Sequence, residues 1–219
     1  EQMEFIKNPT EKTTAVTDII LALVAFGGIV FLRNFQLNSV GLWKTNIWSA
    51  AIGLIGLAAT LGAVAHGVVL SRTLHRRLWL VLNMALSLAV SLFVVGVVYD
   101  LWGFKISLAT LPILLIAGLG FYLMTLIYPG IFFLFIIYEV VALVFALGAY
   151  IIIATYKVMP GAWLMATGVF CSIIAAGIQT KKSVSLTFIW PFDHNGVYHL
   201  VQALGLMFLL IGLRWSMLY

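Results

Sequence analysis

Seven apolar segments, each about as long as a membrane-spanning helix, follow one another along this chain with short connections between them. A helix that crosses the hydrocarbon core of a bilayer needs about 20 mostly apolar residues. The segments run approximately over Thr14–Leu32, Ile47–Leu70, Leu78–Val98, Ile106–Ile127, Gly130–Thr155, Gly161–Ile178 and Val197–Leu213. The pattern predicts an all-α, polytopic membrane protein, in which residues 1–219 form a single domain, a bundle of seven transmembrane helices.

The composition agrees with this class. The chain is 63% apolar and only 9% charged, whereas about a quarter of the residues of a soluble domain are charged. Too few charges are present to cover a surface that faces water. The net charge of +5 is scattered along the chain, so no nucleic-acid partner is expected. The partners that we expect are membrane lipids, with other subunits of a membrane complex as a further option.

Seven crossings place the two termini on opposite sides of the membrane. The side of the N-terminus carries Lys7, Lys12, Arg72, Arg76, Arg77, Lys181 and Lys182, and the other side carries Arg33, Lys44, Lys105, Lys157 and Arg214. Because cytoplasmic loops are enriched in Lys and Arg, this bias predicts a multi-pass protein with a cytoplasmic N-terminus. Asp100, at the end of the third segment on the opposite side, is expected at the membrane interface.

The same alternation brings the polar residues of several segments to one half of the membrane. His66 lies near the end of the second segment and His199 near the start of the seventh, so both face the N-terminal side, as does Asp18. Polar groups within a membrane are costly and usually face the interior of a bundle, often at a working site. We therefore expect a polar intramembrane cavity in this half.

Helix periodicity selects the side chains of that cavity. Asn195, His199 and Gln202 share one helix face at spacings of four and three, whereas His194 lies about 140° from His199 on a regular helix. Asn83 belongs to a polar stripe on the third segment. The predicted pocket comprises His66, Asn195, His199 and Gln202, with Asn83 and Asp18 as neighbours.

One histidine late in the second helix, together with Tyr198-His199-Leu200, Ala203 and Gly205 in the seventh, resembles a known seven-helix superfamily. It is that of the alkaline ceramidases and adiponectin/progestin receptors (CREST-like). The resemblance implies a zinc ion held by three histidines, with a serine and an aspartate completing a site that hydrolyses lipid amides.

The residues of this chain match that pattern in part. His66 and His199 take two of the histidine positions; Asn195 occupies the third, and His194 is one residue out of register. Gly62 stands where the serine is expected. The aspartate of the third helix has no counterpart within Leu78–Val98. The resemblance makes His66, His199 and His194 the candidate zinc ligands and leaves the catalytic residues unknown.

Three functional hypotheses remain open at this stage. The leading one is a lipid-handling protein with a histidine-lined cavity, whose sharpest form is a zinc-dependent lipid amide hydrolase. The second is a non-catalytic structural or accessory subunit of a membrane complex. The third is a small-solute or proton-coupled transporter. Glu139, midway along the fifth segment, is equally compatible with a proton or cation site, an interhelical hydrogen bond, or a place in the pocket.

Overall fold

Seven helices and one short hairpin make up the computed structural model, which describes residues 4–34, 39–128 and 132–218. The elements are α1 (Pro9–Arg33), α2 (Ser39–Gly67), α3 (Arg72–Trp102), α4 (Phe104–Ile127), α5 (Phe132–Thr155), α6 (Ala162–Thr180), β1 (Leu186–Thr187), β2 (Pro191–Phe192) and α7 (His194–Leu218). Over the described residues all seven helices are long and apolar enough to cross a membrane. The predicted all-α, seven-helix architecture is therefore confirmed. The sequence Tyr128-Pro129-Gly130 favours a tight turn before α5, but Pro129 and Gly130 lie outside the described residues.

The first two helices begin earlier than the sequence predicted. The side chain of Asn8 accepts a hydrogen bond from the Thr10 backbone N–H at 3.1 Å, and Pro9 occupies the first helical position. An N-cap followed by proline is a strong helix start. Helix α2 extends back to Ser39 rather than Ile47, because Lys44 is buried inside the bundle instead of marking its boundary.

Six of the helices form a closed ring. Around it, α1 packs on α2, α2 on α3, α3 on α5, α5 on α6, α6 on α7, and α7 on α1. Helix α4 lies outside the ring against α3, and most of its surface is exposed. The six ring helices also share one buried apolar core, to which α1 contributes Leu21, α2 Trp48 and α6 Met165. The centre of the ring is where the candidate site lies.

Glycines set the close approach of α6 and α7. A Cβ atom on Gly168 would lie 2.6 Å from the Gly205 carbonyl oxygen, and one on Gly205 would lie 2.8 Å from the Gly168 oxygen. Small residues let helix backbones touch, which is a main source of packing energy between apolar helices. Gly205, part of the motif quoted above, thus has a packing role in this fold.

A buried polar cluster ties the ring together at the end away from the N-terminus. The Lys44 Nζ lies 2.6 Å from Asp100 Oδ1 and donates a hydrogen bond to the Ser216 hydroxyl at 2.7 Å. The Tyr150 hydroxyl donates to Asp100 Oδ2 at 3.0 Å. The Asp100 side chain is only 1% exposed and is covered by the bundle, while its expected depth at the membrane interface, near the end of α3, stays a prediction. The cluster joins α2, α3, α5 and α7.

Candidate functional site

A cavity of about 160 Å³ occupies the centre of the helix ring and is partly open to its surroundings. All six ring helices contribute side chains to its wall, and among the described lining residues none comes from α4. A cavity between the helices of a bundle is a common position for a ligand site.

The wall of the cavity changes character along the bundle. On α2 the lining runs from His66, near the N-terminal side, to Ile55; on α7 it runs from Asn195 to Leu209. At 1.5 Å per residue, the α2 lining spans about 16 Å. Helix α3 follows the same order, with Trp79 toward the N-terminal side and apolar residues beyond. On α6, Gln179 lies toward that side with Ala176 and Ser172 beyond, and on α5, Phe135 and Ile136 precede Glu139. The cavity therefore has a polar mouth and a largely apolar floor.

Asp18 and His199 form the central polar contact. Asp18 Oδ1 lies 3.3 Å from His199 Nε2, and the Thr17 hydroxyl lies 3.3 Å from His199 Nδ1. Both partners are buried, with 4% of the Asp18 side chain and 12% of the His199 side chain exposed. Two bare acceptors repel one another, so the contact needs a proton on either the carboxyl oxygen or the ring nitrogen. The pair fixes α1 to α7 at the cavity wall.

The other oxygen of Asp18 has no protein partner. Oδ2 is buried and accepts no hydrogen bond within the described residues. The carboxyl group rests on Gly62 of α2, where a Cβ atom would lie 2.8 Å from Oδ2 and 2.9 Å from Oδ1. A buried polar atom without a partner is costly and calls for an explanation. Gly62 makes the room that this carboxyl group occupies.

His66 belongs to a second polar contact at the mouth. Its Nδ1 lies 2.7 Å from Glu11 Oε2, and its ring meets the Trp79 ring edge to face with the centroids 5.9 Å apart. The Trp79 indole N–H donates to His75 Nε2 at 3.1 Å. His66 and His199 line the same cavity and lie within electrostatic reach of one another.

Asp193 starts α7 and joins it to α1. Its Oδ1 accepts from the Gly196 backbone N–H and from the Thr14 hydroxyl, both at 2.9 Å, so Asp193 is the N-cap of α7. Burial by itself would raise the pKa of Asp193, but these hydrogen bonds and the nearby His194 lower it below its ordinary value of 3.8. The cap holds the start of α7, and with it Asn195 and His199, in place against α1.

Five of the seven residues predicted for the site line this one cavity: Asp18, His66, Asn195, His199 and Gln202. Asn83 and His194 do not. Helix α3 turns Leu82 and Leu86 toward the cavity, and Asn83 is rotated away from that face. His194 is the first residue of α7, beside Asp193, and is separated by more than one turn from His199.

Sequence reasoning did not assign seven other polar or aromatic lining residues to the pocket: Trp79, Phe93, Phe135, Glu139, Ser172, Gln179 and Tyr198. Glu139 had been left open among three roles, and its position in the cavity wall now favours the pocket. The sequence already indicated the positions of Glu139 and Gln179, because α5 starts on the N-terminal side and α6 ends there. The alternation that grouped His66 with His199 also places Glu139 and Gln179 in that half.

The candidate zinc ligands do not form a three-ligand set in this arrangement. Catalytic zinc takes three protein ligands at about 2.0–2.3 Å with an open fourth position. Among the described residues, no group of three or more His, Cys, Asp or Glu side chains is arranged to hold a metal ion. His66 faces Glu11, and both ring nitrogens of His199 face α1. Zinc binding stays a prediction, and the function proposed for the cavity does not depend on it.

Comparison with known proteins places the chain at family level. No curated protein and no solved structure matches it. A model of a family of unknown function, DUF6962, matches residues 13–217, which is nearly the whole chain. The protein therefore belongs to the DUF6962 family, a family of unknown function.

Proposed function

We propose that the protein is a multi-pass integral membrane protein that binds an amphiphile, a molecule with a polar head and an apolar chain, inside its helix ring. The observation that carries the proposal is the order of the cavity wall, with Asp18, His66 and Gln202 toward the mouth and Ile55 and Leu209 at the floor. A ligand whose head reaches the mouth and whose chain reaches the floor matches both parts of this wall.

The outer surface of the bundle supports its place in a membrane. Large apolar side chains are exposed around the ring and on α4, among them Leu23, Ile113, Ile116 and Val141. A continuous apolar surface of this extent would be a liability in water and is suited to contact with lipid chains. At the N-terminal side, the connection between α6 and α7 exposes Phe188 and Trp190, a pattern typical of the membrane interface.

Two cations on the side opposite the N-terminus are withdrawn into the bundle, which strengthens the predicted orientation. Lys44 is paired with Asp100, and Arg214 is buried with its guanidinium 5.6 Å from the centre of the Phe31 ring. Arg33, Lys105 and Lys157 remain on that side, against seven Lys and Arg residues on the N-terminal side. We propose a cytoplasmic N-terminus on this basis, and hence a cavity mouth toward the cytoplasmic leaflet.

The size of the cavity restricts the ligand. An apolar cavity of about 150 Å³ in another protein accommodates benzene, and pockets for drug-sized ligands start at about 300 Å³. A cavity of about 160 Å³ that is partly open therefore suits one slender chain, part of which extends beyond the enclosed space. It does not suit a broad, rigid cofactor.

The seam between α3 and α5 offers a route from the lipid phase. It is the most sparsely packed of the six contacts in the ring. The polar tie across it is the hydrogen bond between the Ser91 and Tyr138 hydroxyls, 2.9 Å long. Helix α4 covers the seam at this level, since Ser91 Oγ also donates to the Leu114 carbonyl at 2.7 Å and Phe121 stacks on Tyr138. An amphiphile from the bilayer would therefore displace α4 as well as separate α3 from α5.

The test is to fill the floor of the cavity and to analyse the amphiphiles that remain bound. Ala59 is 4% exposed and lines the cavity, so Ala59→Leu places three extra carbon atoms in the space for the chain. Ala109→Leu, on the exposed surface of α4, is the matched control. The wild type and both variants are purified in the same detergent, and the bound molecules are identified by native mass spectrometry.

We expect bound amphiphile in the wild type and in the control variant Ala109→Leu. In Ala59→Leu the amount of bound amphiphile should fall at least tenfold. Equal occupancy in all three proteins would show that the molecules sit on the outer surface. That result would overturn the proposal and leave an accessory subunit, in which the polar cluster only holds helices together, as the better account.

A further inference from the structure

Three fully buried polar atoms in the cavity wall lack a hydrogen-bond partner, and all three are acceptors in the described side-chain orientations. Asp18 Oδ2, Gln179 Oε1 and Gln202 Oε1 are buried and have no hydrogen-bond partner within the described residues, and all three residues line the cavity. An amide group can turn to present its nitrogen instead of its oxygen, whereas an ionised carboxylate only accepts. Whichever atom holds the proton between Asp18 and His199, Oδ2 stays an acceptor.

The Trp79 and Asn195 donors at the mouth are already in use, whereas the Tyr198 hydroxyl and the amide groups of Gln179 and Gln202 make no hydrogen bond within the described residues. The Trp79 indole N–H donates to His75, and the Asn195 amide contacts Asp193 Oδ2 at 3.4 Å. His66 and His199 are directed at Glu11 and Asp18. Among the described lining residues there is no Lys or Arg. The described part of the wall therefore offers three unpaired buried acceptors to a ligand that brings its own donors, and it offers no cation to an acidic ligand.

Two further features favour a positively charged donor. Glu139 supplies a second carboxyl group to the wall, and Tyr198 lies within electrostatic reach of both Glu139 and Asp18. The aromatic rings of Trp79, Tyr198 and Phe93 also line the cavity. Carboxylates attract an ammonium group, and aromatic faces do so through their quadrupoles. An acidic head group would meet two carboxyl groups with no cation to offset them.

We propose that the amphiphile bound in this cavity is a primary or secondary amine, whose N–H groups donate to Asp18 Oδ2 and to neighbouring oxygens, while its chain extends along the floor. The inference rests on the proposed amphiphile site and specifies its head-group chemistry. A quaternary ammonium satisfies the charge but supplies no N–H donor, and an alcohol supplies one donor without the charge.

The test compares four probes with the same twelve-carbon chain: dodecylamine, dodecyltrimethylammonium, dodecanol and dodecanoic acid. Each is titrated into the protein in lipid nanodiscs, and affinity is measured by isothermal titration calorimetry. The Ala59→Leu variant in identical nanodiscs gives the partitioning into lipid, which is subtracted. We expect dodecylamine to bind at least tenfold more tightly than the other three probes. Asp18→Asn should lower the affinity for dodecylamine more than that for dodecanol and so abolish most of this preference.

Glu139→Gln provides a second variant if Asp18→Asn does not fold, since Glu139 makes no side-chain hydrogen bond or ion pair within the described residues. It should lower the preference for the amine about threefold or more. If amine and alcohol bind equally to the wild type, or if the acid binds best, the amine assignment is overturned and the amphiphile site stands. If no probe binds the wild type above the level of Ala59→Leu, the proposed function itself fails.

Discussion

Replacing Gly62 by alanine should destabilise the protein through a single steric conflict with Asp18. The new Cβ atom would lie 2.8 Å from Oδ2, 2.9 Å from Oδ1 and 3.0 Å from Cγ, whereas ordinary contact begins at 3.4 Å. All three atoms of the carboxyl group are involved, so rotation of the group gives no relief. Asp18 would have to retreat by about 0.6 Å, the difference between 3.4 and 2.8 Å, against its contact with His199. Overpacking of this kind costs about 1–3 kcal/mol.

Gly53→Ala is the control on the same helix. Its Cβ atom would meet only Ile29 Cδ1, at an ordinary distance of 3.4 Å. Both substitutions gain the intrinsic helix propensity of alanine, about 1 kcal/mol, so the difference between the two variants isolates the clash. The free energy of unfolding is measured by denaturant titration in mixed micelles. Gly62→Ala should be less stable than Gly53→Ala by about 1–3 kcal/mol, and Asp18→Ala should remove the difference. Equal stability of the two alanine variants would refute the described position of Asp18.

Three further predictions concern the elements that hold the ring. Lys44→Met should cost about 3–5 kcal/mol of unfolding free energy, because it leaves the Asp100 carboxylate buried without its cation. The double variant with Asp100→Leu should recover most of this loss. A loss under about 1 kcal/mol in the single variant would contradict a buried pair. Asp193→Ala should cost about 0.5–2 kcal/mol at neutral pH by removing the cap of α7. Because the pKa of Asp193 is lowered in the folded state, its stabilisation is present above 3.8 and fades as the pH falls through the folded-state pKa; a variant whose deficit is unchanged at low pH would argue against the cap. Gly205→Ala should loosen the packing of α6 on α7 and lower the midpoint of thermal unfolding. Gly177→Ala, with open space around its Cβ position, should leave that midpoint unchanged. The same unfolding midpoint for both variants would contradict the close backbone approach.

The helix count was predictable because hydropathy is a strong local signal. A run of about 20 apolar residues has few alternatives to a helix that spans a membrane. The start of α2 was missed because Lys44 appeared to end the apolar segment. Its charge is offset by Asp100, which is distant in sequence. A partner on another helix leaves no trace in the local composition, so this boundary required the tertiary structure.

The candidate site was predictable to the extent that it depends on helix direction and period. Alternating directions put Asp18, His66 and His199 in one half of the bundle, and the helical period selected Gln202. The rotation of each helix about its own axis is set by packing on several neighbours, and single-helix reasoning does not determine it. For that reason Asn83 was included and Glu139 was not assigned.

The same limit applies to the ligand chemistry expected from the resemblance to zinc-dependent hydrolases. Spacing within α7 placed His199 beside Asn195 but did not reveal that the His199 ring faces Thr17 and Asp18 of α1. Hydrogen-bond partners decide whether an imidazole is available to a metal ion. Elemental analysis of the purified protein tests zinc binding independently of the amphiphile site.

Crystallographic location of a bound probe tests the central claim, a ligand inside the helix ring, most directly. With 12-bromododecylamine, the anomalous signal of bromine marks the end of the chain. We predict a bromine peak at the apolar floor beside Phe93 and Leu209, with the amine density next to Asp18. Bromine peaks confined to the outer, lipid-facing surface, with no density between the six helices, would contradict the account.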